Sequence, residues 1–348
     1  MGKKLERLKQ FLVKKNVEIS VKRYLIDALG FMAYGLFASL IVGSILNMIG
    51  IKLGIPFLNE TLWPLAKSMT GPAIAVAVAY GLKAPPLVLF ASIIPGAAGA
   101  ALGGPVGAFL ASLVGTECGK LISKETKLDI IVTPSLTILI GSLVGSLVGP
   151  GINAFMTSFG QMIVFAAALQ PIPMGMIISV LMGIALTLPI SSAAIGIMLG
   201  LNGLAAGAAT VGCCCQMIGF AVIGFQENGW NGAFAQGLGT SMLQIPNIVR
   251  NWKIWIPSIV ASAILGPIST TVFKMENTPI GSGMGTSGLV GQFGTIEAME
   301  AAGRSGIALY GPVLLLHFIL PITITLLMAN VLKRRGAIQN NDLKLNLS

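Results

Sequence analysis

Residues 130–226 read IIVTPSLTILIGSLVGSLVGPGINAFMTSFGQMIVFAAALQPIPMGMIISVLMGIALTLPISSAAIGIMLGLNGLAAGAATVGCCCQMIGFAVIGFQ. These 97 residues contain no Asp, Glu, Lys, Arg or His. A soluble chain carries about 25% charged residues, so no water-facing surface can be drawn from such a run. A membrane-crossing helix needs about 20 predominantly apolar residues, which gives the stretch room for about four crossings. Its punctuation falls at Pro150-Gly151, Pro171-Ile172-Pro173 and Pro189-Ile190-Ser191-Ser192. The last break separates an apolar helix from a run of small residues. Backbone groups at that depth cannot face lipid unpaired, so an irregular segment there must line a cavity or be buried in protein.

Working outward, four shorter charge-free runs flank the first, at 28–51, 84–116, 254–273 and 305–332, the last interrupted only by His317. Over all 348 residues, 54% are hydrophobic and only 10% charged, which excludes a soluble fold. The pattern predicts an all-α, polytopic transmembrane helical bundle of about 8–10 spans with re-entrant hairpins. Residues 25–334 form a single integral membrane domain, with re-entrant segments near 189–204 and 277–297. In residues 1–24, Leu5, Leu8, Phe11 and Leu12 stand among Lys3, Lys4, Arg7, Lys9, Lys14 and Lys15, predicting an amphipathic helix on the inner leaflet. Residues 335–348 make a cytoplasmic tail too short to fold alone, and 117–129 is the one strongly charged internal loop.

The net charge of +10 does not point to nucleic acid. Eight of the 22 basic residues lie in the first 23 positions, and Lys333-Arg334-Arg335 follows the last span. Cytoplasmic flanks are enriched in Lys and Arg, so both termini are expected on the cytoplasmic side, against membrane lipid. Four cysteines, three consecutive at Cys213-Cys214-Cys215, give neither a disulfide framework nor a zinc set and read as small packing residues.

The densest unusual composition is ENTPIGSGMGTSGLVGQFGTIEAMEAAGR, residues 276–304. Gly and Ser at a tip between apolar shoulders is the composition of re-entrant hairpins and broken transporter helices. Within it Glu297 is the leading candidate, because a carboxylate at membrane depth is costly unless it faces a partner, a cavity or a substrate. The bland alternative is an interfacial helix in which Glu300 and Arg304 pair at i,i+4. The match of residues 283–288 to G-x-G-x-x-G lacks the preceding strand that a dinucleotide site requires. His317 could serve as a proton relay or solute contact, or simply bond between helices. Candidate solute contacts are Glu297, Thr295, Gly294, Gln292, Asn277, Thr278, Ser191, Ser192 and His317. No catalytic residue set, cofactor motif or metal signature stands out.

These features together resemble the membrane component, enzyme IIC, of the bacterial sugar phosphotransferase system. The segments GPVGAFLASLVGTECGKLISKETKLDIIVTP (104–134) and GTSGLVGQFGTIEAME (285–300) resemble in particular its PfoR-like branch. The resemblance implies a homodimer in the bacterial plasma membrane, each protomer pairing a dimerising scaffold with a mobile domain that carries two re-entrant hairpins. It implies sugar movement by an elevator-type displacement. It also implies that Glu297, in Gly294-Thr295-Ile296-Glu297, occupies the place of the G-I-T-E glutamate that binds sugar hydroxyls, with Thr and Ile exchanged. Members of the family commonly place a histidine near the first hairpin; here Ser191 and Ser192 stand in that region and the only histidine follows Glu297. Any phosphoryl donor would be a separate IIB or IIA protein.

Two functions are therefore expected as alternatives: a transporter of a small polar, sugar-like solute, or a membrane-embedded ligand sensor that keeps the fold without transport. An intramembrane enzyme has no support in the residues.

Overall fold

The structure is a computed structural model that describes Glu6 and residues 10–345. Its main helices among the described residues are α1 (Lys22–Ile51), α2 (Thr70–Gly81), α3 (Pro86–Ile122), α4 (Asp129–Ala167), α5 (Pro171–Thr187), α6 (Ser192–Met198), α7 (Gly203–Ile223), α8 (Phe225–Phe234), α9 (Trp252–Thr271), α10 (Pro279–Ser282), α11 (Val290–Ala301) and α12 (Ile307–Arg334). Among the described residues α1, α3, α4, α7, α9 and α12 are long and apolar enough to cross a membrane, and α2 and α5 are shorter apolar helices. The protein is a multi-pass, all-helical membrane protein. Two compact units divide it, Met1–Gly43 with Glu60–Phe155 and Ser44–Asn59 with Met156–Ser348.

In the first unit α2 packs on α1 and α3, burying Met32, Leu36, Ile74 and Val78. α3 breaks at Gly104, whose φ of 58° and ψ of −149° are open to glycine and strained for other residues. The following Pro105 cannot donate into a helical ladder. The bend brings Gly99 so near that a Cβ there would strike the Gly107 carbonyl. Gly141, Gly145 and Gly149 of α4, spaced four apart on one face, lie against Pro95, Gly99 and Leu102. Small residues let helix backbones approach where no hydrophobic effect drives association.

Three expectations change in this region. Pro150-Gly151 does not interrupt the charge-free run: α4 continues through it for 39 residues. Neighbouring backbone and local adjustment can make up for the one donor a proline removes from a transmembrane helix. Where about four crossings were expected, residues 130–226 hold two helices long and apolar enough to cross, α4 and α7, with the shorter apolar α5 and the short α6 between them. The N-terminal segment is not one helix to residue 24: the helix ends at Lys14 and is closed by a turn at Lys15-Asn16, where Asn16 takes a left-handed φ of 56°, and residues 17–20 are irregular before α1. Leu5, Leu8, Lys3, Lys4, Arg7 and Lys9 lie outside the described residues.

The charged loop is also shorter than 117–129, because Glu117 and Lys120 belong to the last turns of α3 and are buried. The Lys120 side chain is 1% exposed. Its Nζ donates to Glu117 Oε1 at 2.9 Å, to the Asn16 carbonyl at 2.8 Å and to the Leu82 carbonyl at 3.1 Å. Arg23 Nη2 donates to the same two carbonyls, at 3.2 and 2.8 Å. Both carbonyls stand at helix C-termini, where unsatisfied backbone groups carry partial negative charge and favour cations. That is why two cations settle beside a single carboxylate.

In the second unit α7 is buried along nearly its whole length, with α5, α9 and α12 packed around it. The Cys213-Cys214-Cys215 thiols are fully buried and unbridged, packing residues as expected. Val211, Cys215, Leu265, Met299, Leu309 and Leu316 share one cluster. The tail beyond α12 does not stand free: Ile338, Leu343 and Leu345 are buried against this unit.

Candidate functional site

The second unit is interrupted twice. α5 ends at Thr187, residues 188–191 leave the helix, α6 follows and a turn at 199–202 leads into α7. Later α10 is followed by turns and a short 3₁₀ segment, Ser287–Leu289, before α11. α6 packs against α10, and α10 against α11. Ser192 Oγ donates to the Gly283 carbonyl at 2.6 Å, joining the two interruptions.

Asn277 is the hub beneath them, 1% exposed. Its Nδ2 donates to Thr210 Oγ1 at 2.5 Å, to the Gly291 carbonyl at 3.0 Å and to Thr295 Oγ1 at 3.0 Å, while its Oδ1 accepts the Thr278 amide at 2.7 Å. Its own backbone N–H reaches the Gly203 carbonyl at 3.3 Å. Thr278 caps α10, its hydroxyl accepting Gly281 N–H. Gly294 faces this cluster: a Cβ there would overlap Asn277 Oδ1 and come within 2.9 Å of Thr278 Oγ1. Buried polar groups must find partners, and here Asn277, Thr278 and Thr295 find them in one another and in the chain.

Gln292 and His317 form a second pair. Gln292 Nε2 lies 3.1 Å from His317 Nδ1 and 3.3 Å from Cys214 Sγ. His317 is fully buried and Gln292 6% exposed. Gln292 Oε1 and His317 Nε2 have no hydrogen-bond partner among the described residues. With Gln292 donating to Nδ1, the ring carries its proton on Nε2, so the two orphaned atoms are an acceptor and a donor.

Glu297 stands apart. It is exposed on α11. Two residues along a helix is about 200° of rotation, so Glu297 points away from Thr295. No hydrogen bond or ion pair reaches its carboxylate among the described residues. The Glu300–Arg304 pair does not form either, because Arg304 Nη1 donates to the Phe273 carbonyl at 2.5 Å. Ser191 is half-buried, its carbonyl accepting Ile195 N–H at 3.0 Å.

The nine nominated residues thus fall into four groups: a lock of Asn277, Thr278, Gly294 and Thr295; Ser191 and Ser192 at the first interruption, the latter bonded to the Gly283 carbonyl; the Gln292–His317 pair; and Glu297. The sequence reading missed Thr210, which completes the Asn277 cluster. It also missed segment 235–244, where Thr286 donates to the Gly237 carbonyl and Thr187 Oγ1 lies 2.8 Å from Ser241 Oγ. A lone hydroxyl in the small-residue run 203–211 was the available signal for Thr210.

Residues 26–345 match the family model described as phosphotransferase system, EIIC. The chain belongs to the phosphotransferase system EIIC family. No curated protein and no solved structure matches it.

Proposed function

We propose that this EIIC protein moves a small polar, sugar-like solute across the bacterial plasma membrane, with both termini on the cytoplasmic face. The second unit is the carrier in an elevator-type displacement, and two copies associate as a homodimer. The observation that carries the proposal is the Ser192–Gly283 hydrogen bond, which unites two helix interruptions into one polar junction inside an otherwise apolar body. Broken helices of this kind hold substrates in transporters. All nine nominated residues lie in the second unit.

The groups divide the work. The Asn277 lock shapes and stiffens the junction. Glu297, with its carboxylate uncommitted, accepts hydroxyl donors from the solute. Gln292 Oε1 and His317 Nε2 offer the acceptor and donor that a hydroxyl can satisfy together. His317 is tied to Gln292 rather than placed at the first interruption, and phosphorylation of the solute, where it accompanies transport, would draw on a IIB or IIA donor.

Uptake of labelled sugars and polyols into proteoliposomes, with and without a phosphoryl donor, tests the proposal. Glu297→Gln is expected to lower uptake by roughly tenfold or more, because a hydrogen bond to a charged group contributes about 1.5–3 kcal/mol. Wild-type protein inactive towards the whole panel would overturn transport. Unchanged uptake in Glu297→Gln would overturn only the site.

A further inference from the structure

Three membrane-length helices of the second unit end together. α7 stops at Ile223, α9 starts at Trp252 and α12 stops at Arg334. The chain beyond α12 laces these ends to one another: Asn228 Nδ2, in α8, donates to the Leu343 carbonyl at 2.8 Å, and Asn251 Nδ2, just before α9, donates to the Ala337 carbonyl at 3.0 Å. The common end of three crossing helices marks a surface of the bilayer, and α8 lies on it.

α8 is polar inside and aromatic outside. Glu227 Oε2 accepts Leu343 N–H at 3.0 Å and Asn228 Oδ1 accepts Leu345 N–H at 2.7 Å, so its inward hydrogen-bonding groups are spent on the protein's own tail. Outward stand Phe225, Trp230 and Phe234, with Trp230 70% exposed. Gly229, at φ 58° and ψ −159°, bends the segment. Phe225 meets Trp230 edge to face with ring centroids 5.1 Å apart, and Trp230 stacks on Phe234 at 5.8 Å. An exposed apolar patch of this kind marks an interaction surface, and Trp is a side chain that settles at headgroup level. Charge is as one-sided. Residues 225–255 and 333–345 hold six basic side chains against two acids. Both acids are bound within the patch, Glu227 by the Leu343 amide and Asp342 by Asn251 Nδ2 at 2.7 Å. Arg250, Lys253, Arg334 and Arg335 are exposed and pair with no acid among the described residues.

We propose that the outer face of α8, with these four cations around it, is a docking surface for anionic phospholipid headgroups, the three rings seated among the headgroups and the cations meeting their phosphates. A second copy of the chain placed on the same face would bring the same positive excess to the contact, and like charge opposes such pairing. An anionic leaflet supplies the opposite sign together with an apolar layer for the rings. The surface rests on membrane location and is independent of the solute proposed above.

The test uses full-length protein in phosphatidylcholine bilayers that carry a small, equal mole fraction of either phosphatidylglycerol or phosphatidylcholine brominated near the headgroup. Emission of Trp230 is read as the difference between wild type and Trp230→Phe. One cation near an anionic surface favours it by roughly fivefold, so brominated phosphatidylglycerol should quench Trp230 at least ~2-fold more strongly than brominated phosphatidylcholine. Replacing Arg250, Lys253, Arg334 and Arg335 together by Gln should make the two lipids equal. Trp230 untouched by either lipid, as a second copy or a soluble partner covering the face would leave it, overturns the proposal. Equal quenching by both lipids in wild type, or a preference that survives the fourfold substitution, overturns it too. If that variant fails to fold, salt decides on wild type: at ~1 M, where the screening length is about 3 Å, the preference should vanish, and one that persists overturns the proposal.

Discussion

Substituting Lys120 by methionine keeps an aliphatic stem of similar length and deletes one buried charge at the end of α3. The carbonyls of Asn16 and Leu82 each keep a donor, because Arg23 Nη2 already reaches both. Glu117 has no such reserve. Its Oε1 accepts from Lys120 and its Oε2 has no partner among the described residues, so Lys120→Met leaves a buried carboxylate with none. Breaking a buried pair by removing one partner costs about 3–5 kcal/mol, most of it the uncompensated charge. Pairing it with Glu117→Gln removes that charge, and the double variant should fall only about 1–2 kcal/mol below wild type, the scale of lost neutral hydrogen bonds. Unfolding by SDS titration in mixed micelles gives all four corners of the cycle. A loss under about 1 kcal/mol in Lys120→Met, or strictly additive effects, would refute the assignment of the cost to Glu117.

The same titration checks the junction. Asn277→Ala removes the amide that holds Thr210, Gly291 and Thr295 together and should cost about 1–3 kcal/mol; a change within about 0.5 kcal/mol would remove Asn277 as the hub. Gly294→Val forces a branched side chain onto Asn277 and Thr278 and should cost about 1–3 kcal/mol, whereas Gly311→Ala, in a helix with no atom near its Cβ position, should be neutral or stabilising. At the loop after α3, Lys15 Nζ lies 2.5 Å from Glu125 Oε1, and this hydrogen bond holds the Glu125 carboxyl below the ordinary value of 4.5. A depressed folded pKa contributes stability above the unfolded value that is lost as pH falls through the folded one. The difference between wild type and Glu125→Gln should therefore be present at neutral pH and vanish in acid; a difference that grows on acidification contradicts the pairing.

Membrane location and helical class were legible because they depend on long runs, and 97 residues without charge admit one solvent. Boundaries depend on local geometry and were less so. Pro150-Gly151 and Gly104-Pro105 look alike as text, yet α4 runs straight through the first and α3 breaks at the second. The difference is a backbone choice: Gly104 takes a positive φ, and the glycine ladder of α4 lies against that bend. Likewise Glu117 and Lys120 read as loop residues because charge normally marks solvent. What places them inside is a pair of helix ends contributed by residues 16 and 82, remote in the chain.

The candidate residues illustrate the same limit more sharply. Polar side chains in an apolar chain announce that something must satisfy them, but not whether that something is a ligand or a neighbour. Asn277, Thr278 and Thr295 were nominated for polarity at membrane depth, and the fold satisfies them from within. Gly294, nominated beside them, is the place where no side chain fits. What separates a solute contact from a structural one is an unspent hydrogen-bonding group, and a sequence does not show which groups are spent. By that criterion Glu297, Gln292 and His317 remain, on two sides of α11: the helix turns Glu297 outward while the buried Gln292 faces Cys214 and His317. A solute held by Glu297 in this conformation cannot also touch His317 without movement of α11 or of the chain around it. Uptake by Glu297→Gln and by His317→Gln should therefore respond differently, the first losing rate through lost hydroxyl contacts and the second only if α11 turns during transport. Equal losses in both variants would mean that the two faces meet the solute in one state.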